Sequence, residues 1–218
     1  KLFSSDKQHQ ERLLHYLENQ WLIPSSPVLF NSTKELVDML TIGSEFQYRQ
    51  YHLLGTVRNQ PISCFSQYIP DTLEGIINTS SESKYLSTGG GGYSKIYSDV
   101  RSITDKSPGV IKLLAEDDRT VLAFYQGKSR RAAMAGYLHY THPEILQFIT
   151  GRDPTGGDIN QKFLNLHHGV TFDNKFLELI SNNEVVELRQ PHNNELVDTI
   201  SARDLWFKLL QLRHKTGE

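Results

Sequence analysis

The chain has 218 residues, of which 23 are Lys or Arg and 25 are Asp or Glu, so its formal net charge is −2. With 38% hydrophobic and 22% charged residues, it has the composition of a folded globular protein, which excludes a disordered chain, a collagen-like rod and a coiled coil. The nearly balanced charge excludes wholesale binding of polyanions, although it permits a local basic patch.

Cysteine content and hydropathy narrow the class further. The only cysteine is Cys64, and a single cysteine can form neither an internal disulfide framework nor a multi-cysteine zinc site. We therefore expect a reducing, cytoplasmic compartment and no metal bound by this chain. No apolar run approaches the roughly 18 residues of a transmembrane helix, so we expect no membrane span.

Residues 1–60 are predicted to form a helical N-terminal segment. An amphipathic helix is predicted from Asp6 to Trp21 because apolar residues recur there at spacings of three and four, at Leu13, Leu14, Leu17 and Trp21. Pro24 ends this helix. A second, short helix is predicted from Lys34 to Thr41, and the pattern that follows it is weak.

Residues 61–218 alternate between predicted strands and predicted helices. The strands are predicted at Pro61–Tyr68, Tyr93–Tyr97, Ala132–Tyr140, Leu164–Phe172 and Glu184–Arg189. The helices are predicted at Asp71–Leu86, Val110–Phe124, His142–Thr150, Asp173–Ile180 and Ser201–Lys215. This alternation indicates an α/β fold with a mostly parallel sheet.

Two loops of unusual composition are candidates for ligand binding. The run Gly89–Gly92 suits either a flexible turn or a close approach of the main chain to another group, and its spacing matches no dinucleotide or P-loop motif. The basic loop Gln126–Arg131 suits either an anionic or base-bearing ligand or a solvated surface.

Three further side chains have an ordinary structural interpretation. A lone Cys64 in a strand is usually an inert, buried residue. Asp71 is first of all a helix cap. The adjacent His167 and His168 point to opposite faces of a strand, so they cannot share a metal ion. From these residues alone, the chain is a ligand-binding α/β domain.

Ten motifs in a fixed order make the chain similar to one enzyme family. They are PSSPVLFNS, PISCF, DTLEGI, ESKYLSTGGGG, VRSI, SPGVI, LAFYQGKSRRAAMAGYL, HPEILQFI, PTGGDINQKFLNLHHGV and SARDLWFKLLQLRHKTGE. From about Trp21 to Glu218 the chain resembles the large, catalytic subunit of ribonucleotide reductase, closest to the class I enzymes and with features of class II.

The resemblance implies a specific fold. The family has a ten-stranded α/β barrel made of two five-stranded, mainly parallel halves that run antiparallel to each other. Residues 61–218 would form the first half, and residues 1–60 would form the helical segment before it. The stretch near 32–60 is longer than the family pattern and is interpreted as an insertion.

The resemblance also implies a reaction and the residues that carry it. The family reduces ribonucleoside diphosphates to deoxyribonucleotides: a cysteine thiyl radical abstracts the 3′-hydrogen, and a pair of cysteines supplies two electrons. Cys64 matches the first cysteine of that pair, which replaces its inert interpretation. Ser26, Ser63 and Gly92 match residues that contact the substrate, and Arg130 matches a residue that contacts the substrate base.

Asp71 and Arg101 match residues that bind the allosteric effector, a deoxynucleoside triphosphate or ATP. No position of the chain matches the thiyl cysteine, the second cysteine of the pair, the radical-relay tyrosines or the C-terminal reductant cysteines. The resemblance therefore implies a split or truncated subunit that is inactive alone. The alternative is a non-catalytic deoxynucleotide-binding or regulatory module of the same fold.

The implied partners follow from the missing parts. They are a complementary C-terminal half, a radical-generating small subunit that holds the metal, a second large subunit in a homodimer, and a reductant of the thioredoxin or glutaredoxin type. We expect no cofactor within this chain.

Overall fold

A computed structural model describes residues 6–22, 64–124 and 132–217. Within those ranges the strands are β1 (Cys64–Tyr68), β2 (Gly92–Ile96), β3 (Met134–His139), β4 (His167–Thr171), β5 (Val185–Arg189) and β6 (Leu196–Ser201). The α-helices are α1 (Lys7–Glu18), α2 (Leu73–Thr88), α3 (Val110–Ala123), α4 (Ile145–Thr150), α5 (Asn174–Asn182) and α6 (Ala202–Thr216). A short 3-10 helix covers Ile159–Gln161.

Strands β1 to β4 form a parallel sheet in the order β1-β2-β3-β4. Parallel neighbours need a long connection, and helices α2, α3 and α4 lie in the connections between successive strands. The predicted α/β fold with a mostly parallel sheet is confirmed for these four strands.

Each strand of this sheet turns alternate residues to opposite faces. One face, here the covered face, packs against helices and contributes core side chains such as Tyr93, Met134 and Leu138. On the opposite face, here the open face, no residue is buried by the described part of the chain. The open face consists of Cys64, Ser66, Tyr68, Gly92, Ser94, Ile96, Ala135, Tyr137, His139, His167, Gly169 and Thr171.

The prediction that Glu184–Arg189 forms a fifth strand of the parallel sheet is wrong. The strand at Val185–Arg189 exists, but it pairs antiparallel with β6 in a separate two-stranded sheet. Residues 190–195 connect the two strands, and Asn194 takes the left-handed conformation (φ 59°) that asparagine tolerates in turns. Because so short a connection joins β5 and β6, they pair as a hairpin, and sequence analysis did not predict β6.

The predicted first helix is confirmed as α1, which begins after the cap Asp6 and buries none of its residues. The predicted helix Lys34–Thr41 and the insertion near 32–60 lie outside the described residues, so the division at residue 60 stays a prediction. No helix among the described ranges has the length and apolar character needed to cross a bilayer.

Candidate functional site

The amino end of the open face brings two predicted site residues together. Cys64 begins β1 and Gly92 begins β2, and the two are direct partners in the parallel register. Neighbouring strands lie about 4.8 Å apart, so the exposed Cys64 side chain stands beside the glycine backbone. A small molecule above Gly92 would be within reach of the thiol.

Two hydroxyl groups lie one step further along the same face. Ser66 and Ser94 are partners in the register, and the Ser94 hydroxyl donates to Ser66 Oγ at 3.2 Å. They follow Cys64 and Gly92 at a spacing of two residues, or about 6.6 Å. Sequence analysis missed them, although the period-two alternation from Cys64 was a signal that could have found them.

The four-glycine run has three distinct structural roles. Gly89 caps α2, and Gly90 takes a positive φ of 81° that favours glycine. Gly91 lies against Phe65, whose ring carbon would be 2.7 Å from a Cβ at that position. The run therefore ends α2 and lets the backbone pass close to Phe65, which places Gly92 at the start of β2. The predicted contact of Gly92 with substrate stays a prediction.

The far side of the open face carries an aromatic ring over a second glycine. Tyr137 on β3 and Gly169 on β4 are register partners, and a Cβ on Gly169 would overlap the Tyr137 ring. The half-buried His139 follows on β3, and its Nδ1 lies 2.7 Å from Thr141 Oγ1. Burial lowers the pKa of His139. The open face is thus a surface of small and hydrogen-bonding groups.

The carboxyl end of the sheet brings the other two predicted site residues together. The Arg101 guanidinium donates from Nε to Asp71 Oδ2 at 2.6 Å, and the Arg101 backbone N–H faces Asp71 Oδ1 at 3.3 Å. Asp71 is not the cap of α2, because Thr72 accepts from the Gly75 N–H at 3.1 Å. Its carboxylate is therefore held by Arg101 rather than by a helix end.

Tyr68 closes the same end of β1. The nearby Asp99 carboxylate raises the pKa of Tyr68, first through its charge and then through a hydrogen bond. Four strand steps separate Cys64 from Tyr68, which is about 13 Å at the usual rise. The Cys64–Gly92 pair and the Asp71–Arg101 pair are therefore two separate candidate sites at opposite ends of the sheet.

A buried charged cluster lies on the covered face and belongs to neither site. Lys95 donates to both carboxylate oxygens of Asp117, at 2.7 and 2.9 Å, and the Tyr97 hydroxyl donates to the same carboxylate. Burial raises the pKa of Asp117, and burial together with Asp117 raises that of Tyr97. Since Lys95 points away from the open face, this cluster joins α3 to β2.

Other predicted site residues lie outside the described part of the chain. These are Ser26, Ser63 and Arg130, and their roles stay predictions. Across the described ranges, no three metal-ligating side chains are grouped so that they could hold an ion.

Comparison with known proteins identifies similar sequences. Residues 62–218 match the family described as ribonucleotide reductase, barrel domain. The chain is 44% identical over 158 residues to a ribonucleoside-diphosphate reductase large subunit of Frog virus 3, which covers 72% of this chain and 28% of that protein.

Two more relatives come from invertebrate iridescent viruses, and both are named ribonucleoside-diphosphate reductase large subunit. The protein of Invertebrate iridescent virus 6 is 37% identical over 225 residues, and the match spans 100% of this chain and 21% of that protein. The protein of virus 3 is 29% identical over 270 residues, covering 99% of this chain and 39% of its own length. The chain thus spans well under half of each of these relatives.

Proposed function

Because this chain belongs to the ribonucleotide reductase family, whose barrel domain matches residues 62–218, we propose that it forms part of the catalytic subunit of a ribonucleoside-diphosphate reductase. The observation that carries the proposal is the position of Cys64. The chain's single cysteine is exposed on the open face, opposite Gly92 and next to the Ser66–Ser94 pair.

In this proposal Cys64 is one of two thiols that reduce the substrate. The C2′–OH bond of the ribonucleotide breaks, a C2′–H bond forms and water leaves. The two electrons and two protons come from two thiols, which become a disulfide. The second thiol and the thiyl radical come from a complementary part of the subunit, and a metal-containing small subunit generates the radical.

The open face is the surface on which the substrate would lie. The backbone at Gly92 permits close approach of a ribose, and the Ser66 and Ser94 hydroxyls can hydrogen-bond to its hydroxyl or phosphate oxygens. Ser26, Ser63 and Arg130 are proposed to complete the contacts. A dithiol protein of the thioredoxin or glutaredoxin type would then reduce the disulfide.

The Asp71–Arg101 pair is proposed as the regulatory nucleotide site. A carboxylate can accept from a deoxyribose hydroxyl, and a guanidinium is suited to phosphate oxygens. Both side chains are partly exposed, at 18% and 35%, so a nucleotide can reach them. Binding would exchange part of their mutual ion pair for contacts with a deoxynucleoside triphosphate or ATP.

The complementary half is expected to cover the open face of the sheet, because parallel sheets are normally covered on both faces. Here the described residues cover only one. Beside edge strand β4, a groove of about 420 Å³ is lined mainly by apolar side chains of α4, α6 and the end of β4, such as Phe148, Phe172 and Trp206. We propose that the second half of the barrel packs there and over the open face.

A regulatory module without turnover is the second candidate function. It is favoured by the Asp71–Arg101 pair, which is formed entirely by this chain, whereas the reducing pair needs a second cysteine from elsewhere. The two functions differ in whether Cys64 is needed once the complementary half is present.

Substitution of Cys64 in the assembled enzyme tests the proposal. We expect Cys64→Ser, combined with the complementary half, the small subunit and a dithiol reductant, to keep nucleotide binding and to lose deoxynucleotide formation, because an oxygen cannot form the disulfide. Thr171→Ala, an exposed position on the same face at the end of β4, leaves the thiol and the Ser66–Ser94 pair in place, so it is the matched control and should retain turnover. Normal turnover by Cys64→Ser would leave only the regulatory function.

The regulatory site has its own test in the unassembled chain. Asp71→Ala should weaken the binding of a deoxynucleoside triphosphate by about tenfold, the value of one charged hydrogen bond. Asp173→Ala is the control, because that carboxylate caps α5 through the Phe176 N–H and does not contact Arg101. Equal affinities of the two variants in a calorimetric titration would remove the assignment.

A further inference from the structure

The segment that carries Arg101 is fixed at its first end by a buried histidine. This segment, here the arch, comprises residues 101–109 between β2 and α3. His142 Nε2 lies 2.8 Å from the Val100 carbonyl oxygen, and its Nδ1 lies 3.1 Å from the Glu144 backbone nitrogen. Because a backbone N–H can only donate, Nδ1 accepts and the proton resides on Nε2, which donates to Val100.

The other end of the arch is fixed by Glu144, two residues after His142. The N–H of Val110, the first residue of α3, donates to Glu144 Oε2 at 2.7 Å. The helix cap, Gly109, has a φ of 77° and no side chain, and a Cβ there would overlap the Glu144 carboxylate. A buried carboxylate from another loop therefore replaces the usual cap at a helix end that favours negative charge.

A third contact fixes the arch directly after Arg101. The Ser102 N–H donates to Gln190 Oε1 at 3.2 Å, and Gln190 Nε2 donates to Ser102 Oγ at 2.6 Å. Both residues are buried. Arg101 thus lies between two residues whose backbone groups are held, Val100 by His142 and Ser102 by Gln190.

We propose that His142, Glu144 and Gln190 are positioning residues that preset Arg101 opposite Asp71 and so determine the affinity of that site for a nucleoside triphosphate. The inference rests on the regulatory site proposed above. Without these contacts the arch would sample several conformations, and binding would have to order it first. Sites are held most accurately when buried hydrogen bonds fix their supporting residues.

Two variants of His142 in the full 218-residue chain test the proposal. His142→Leu removes both hydrogen bonds, whereas the side-chain amide of His142→Gln can still donate to Val100. Backbone amide exchange across residues 101–110 and the affinity for dTTP are measured for each. We expect His142→Leu to speed exchange and weaken dTTP binding, each by about tenfold, and His142→Gln to recover part of both.

Asn165→Ala is the matched control, since it removes a hydrogen bond to the buried Asp118 carboxylate that does not touch the arch. It should lower thermal stability without changing arch exchange or dTTP affinity. Faster exchange in His142→Leu with unchanged dTTP affinity would overturn the positioning role and leave the regulatory site standing. If the unaltered chain binds no dTTP, the regulatory site is wrong. In that case the exchange rate of the Arg101 amide still tests whether His142 restrains the arch. An unchanged rate in His142→Leu overturns this restraint.

Discussion

The covered and open faces of the parallel sheet use the same four strands for different purposes. Along β2, the side chains of Tyr93 and Lys95 enter the packed layer beneath α2 and α3, while Gly92 and Ser94 remain on the open side. The covered face is buried, with core side chains and the Lys95–Asp117 ion pair, whereas the open face is exposed and carries Cys64, glycine, hydroxyl groups and a few larger side chains such as Tyr137. Stability and the proposed chemistry are therefore separated by the pleat of the strand, one residue apart.

The largest effect should come from breaking the buried ion pair on the covered face. Lys95→Met leaves the Asp117 carboxylate buried without its cation, which typically costs about 3–5 kcal/mol of unfolding free energy. Ser94→Ala, one residue away on the open face, should cost less than about 0.5 kcal/mol. Urea unfolding measures the loss of unfolding free energy in both variants. Similar losses would contradict the inference that stability depends on the covered face and not on the open one.

The next effect concerns pH and two histidines at the carboxyl end of β3. Burial lowers the pKa of His142 to about 4, from 6.5 in the unfolded chain. Well above pH 6.5, His142 is neutral in both the folded and the unfolded state, so its contribution to stability is complete. As the pH falls from 6.5 towards 4, only the unfolded state gains the proton, so the folded state loses stability.

From about pH 7.5 to about pH 5 this loss should reach about 2 kcal/mol. His142→Gln should lack that part of the pH dependence, and the difference between the two unfolding profiles isolates it. His139→Gln on the open face is the comparison, and because His139 is only half-buried it should remove less of the dependence. Parallel profiles for the unaltered chain and His142→Gln would contradict a neutral, hydrogen-bonded His142.

A smaller effect is expected on the open face at the contact between Gly169 and the Tyr137 ring. Gly169→Ala places a methyl group into the Tyr137 ring and should cost about 1–3 kcal/mol, as overpacking usually does. In a Tyr137→Ala background the same change should cost almost nothing, because the ring is gone. Additive losses in this double-mutant cycle would show that the ring does not depend on the glycine.

Much of the fold could be predicted from the sequence because its signals are local. Spacing of apolar residues and caps such as Asp173 and Ser201 located the helices to within a few residues. The partner of β5 could not be predicted in this way, since strand pairing depends on the connection that follows it. The sequence HNN, where Asn194 takes the left-handed conformation, is a turn signal that sequence analysis did not use.

The candidate sites divide along the same line. Cys64, Gly92, Asp71 and Arg101 were found through the family resemblance, and the structure brings them together in two pairs. The supporting contacts of the arch were not predicted, because residues 88 positions apart, such as Ser102 and Gln190, carry no common sequence signal. Only a fold that brings the β2 and β3 loops together with the hairpin reveals them.

The smallest effect on stability is expected at the residue with the largest proposed effect on chemistry. Cys64 is exposed at the start of an edge strand, so Cys64→Ala removes one sulfur atom from the surface and should change unfolding free energy by less than about 0.5 kcal/mol. Phe65→Ala, the next residue and on the covered face, is the control. It should cost at least about 2 kcal/mol, because its ring packs on Gly91 and the core. Comparable losses in urea unfolding would mean that Cys64 supports the fold. A silent Cys64→Ala that nevertheless abolishes turnover in the assembled enzyme is the result that a catalytic thiol on an open face requires.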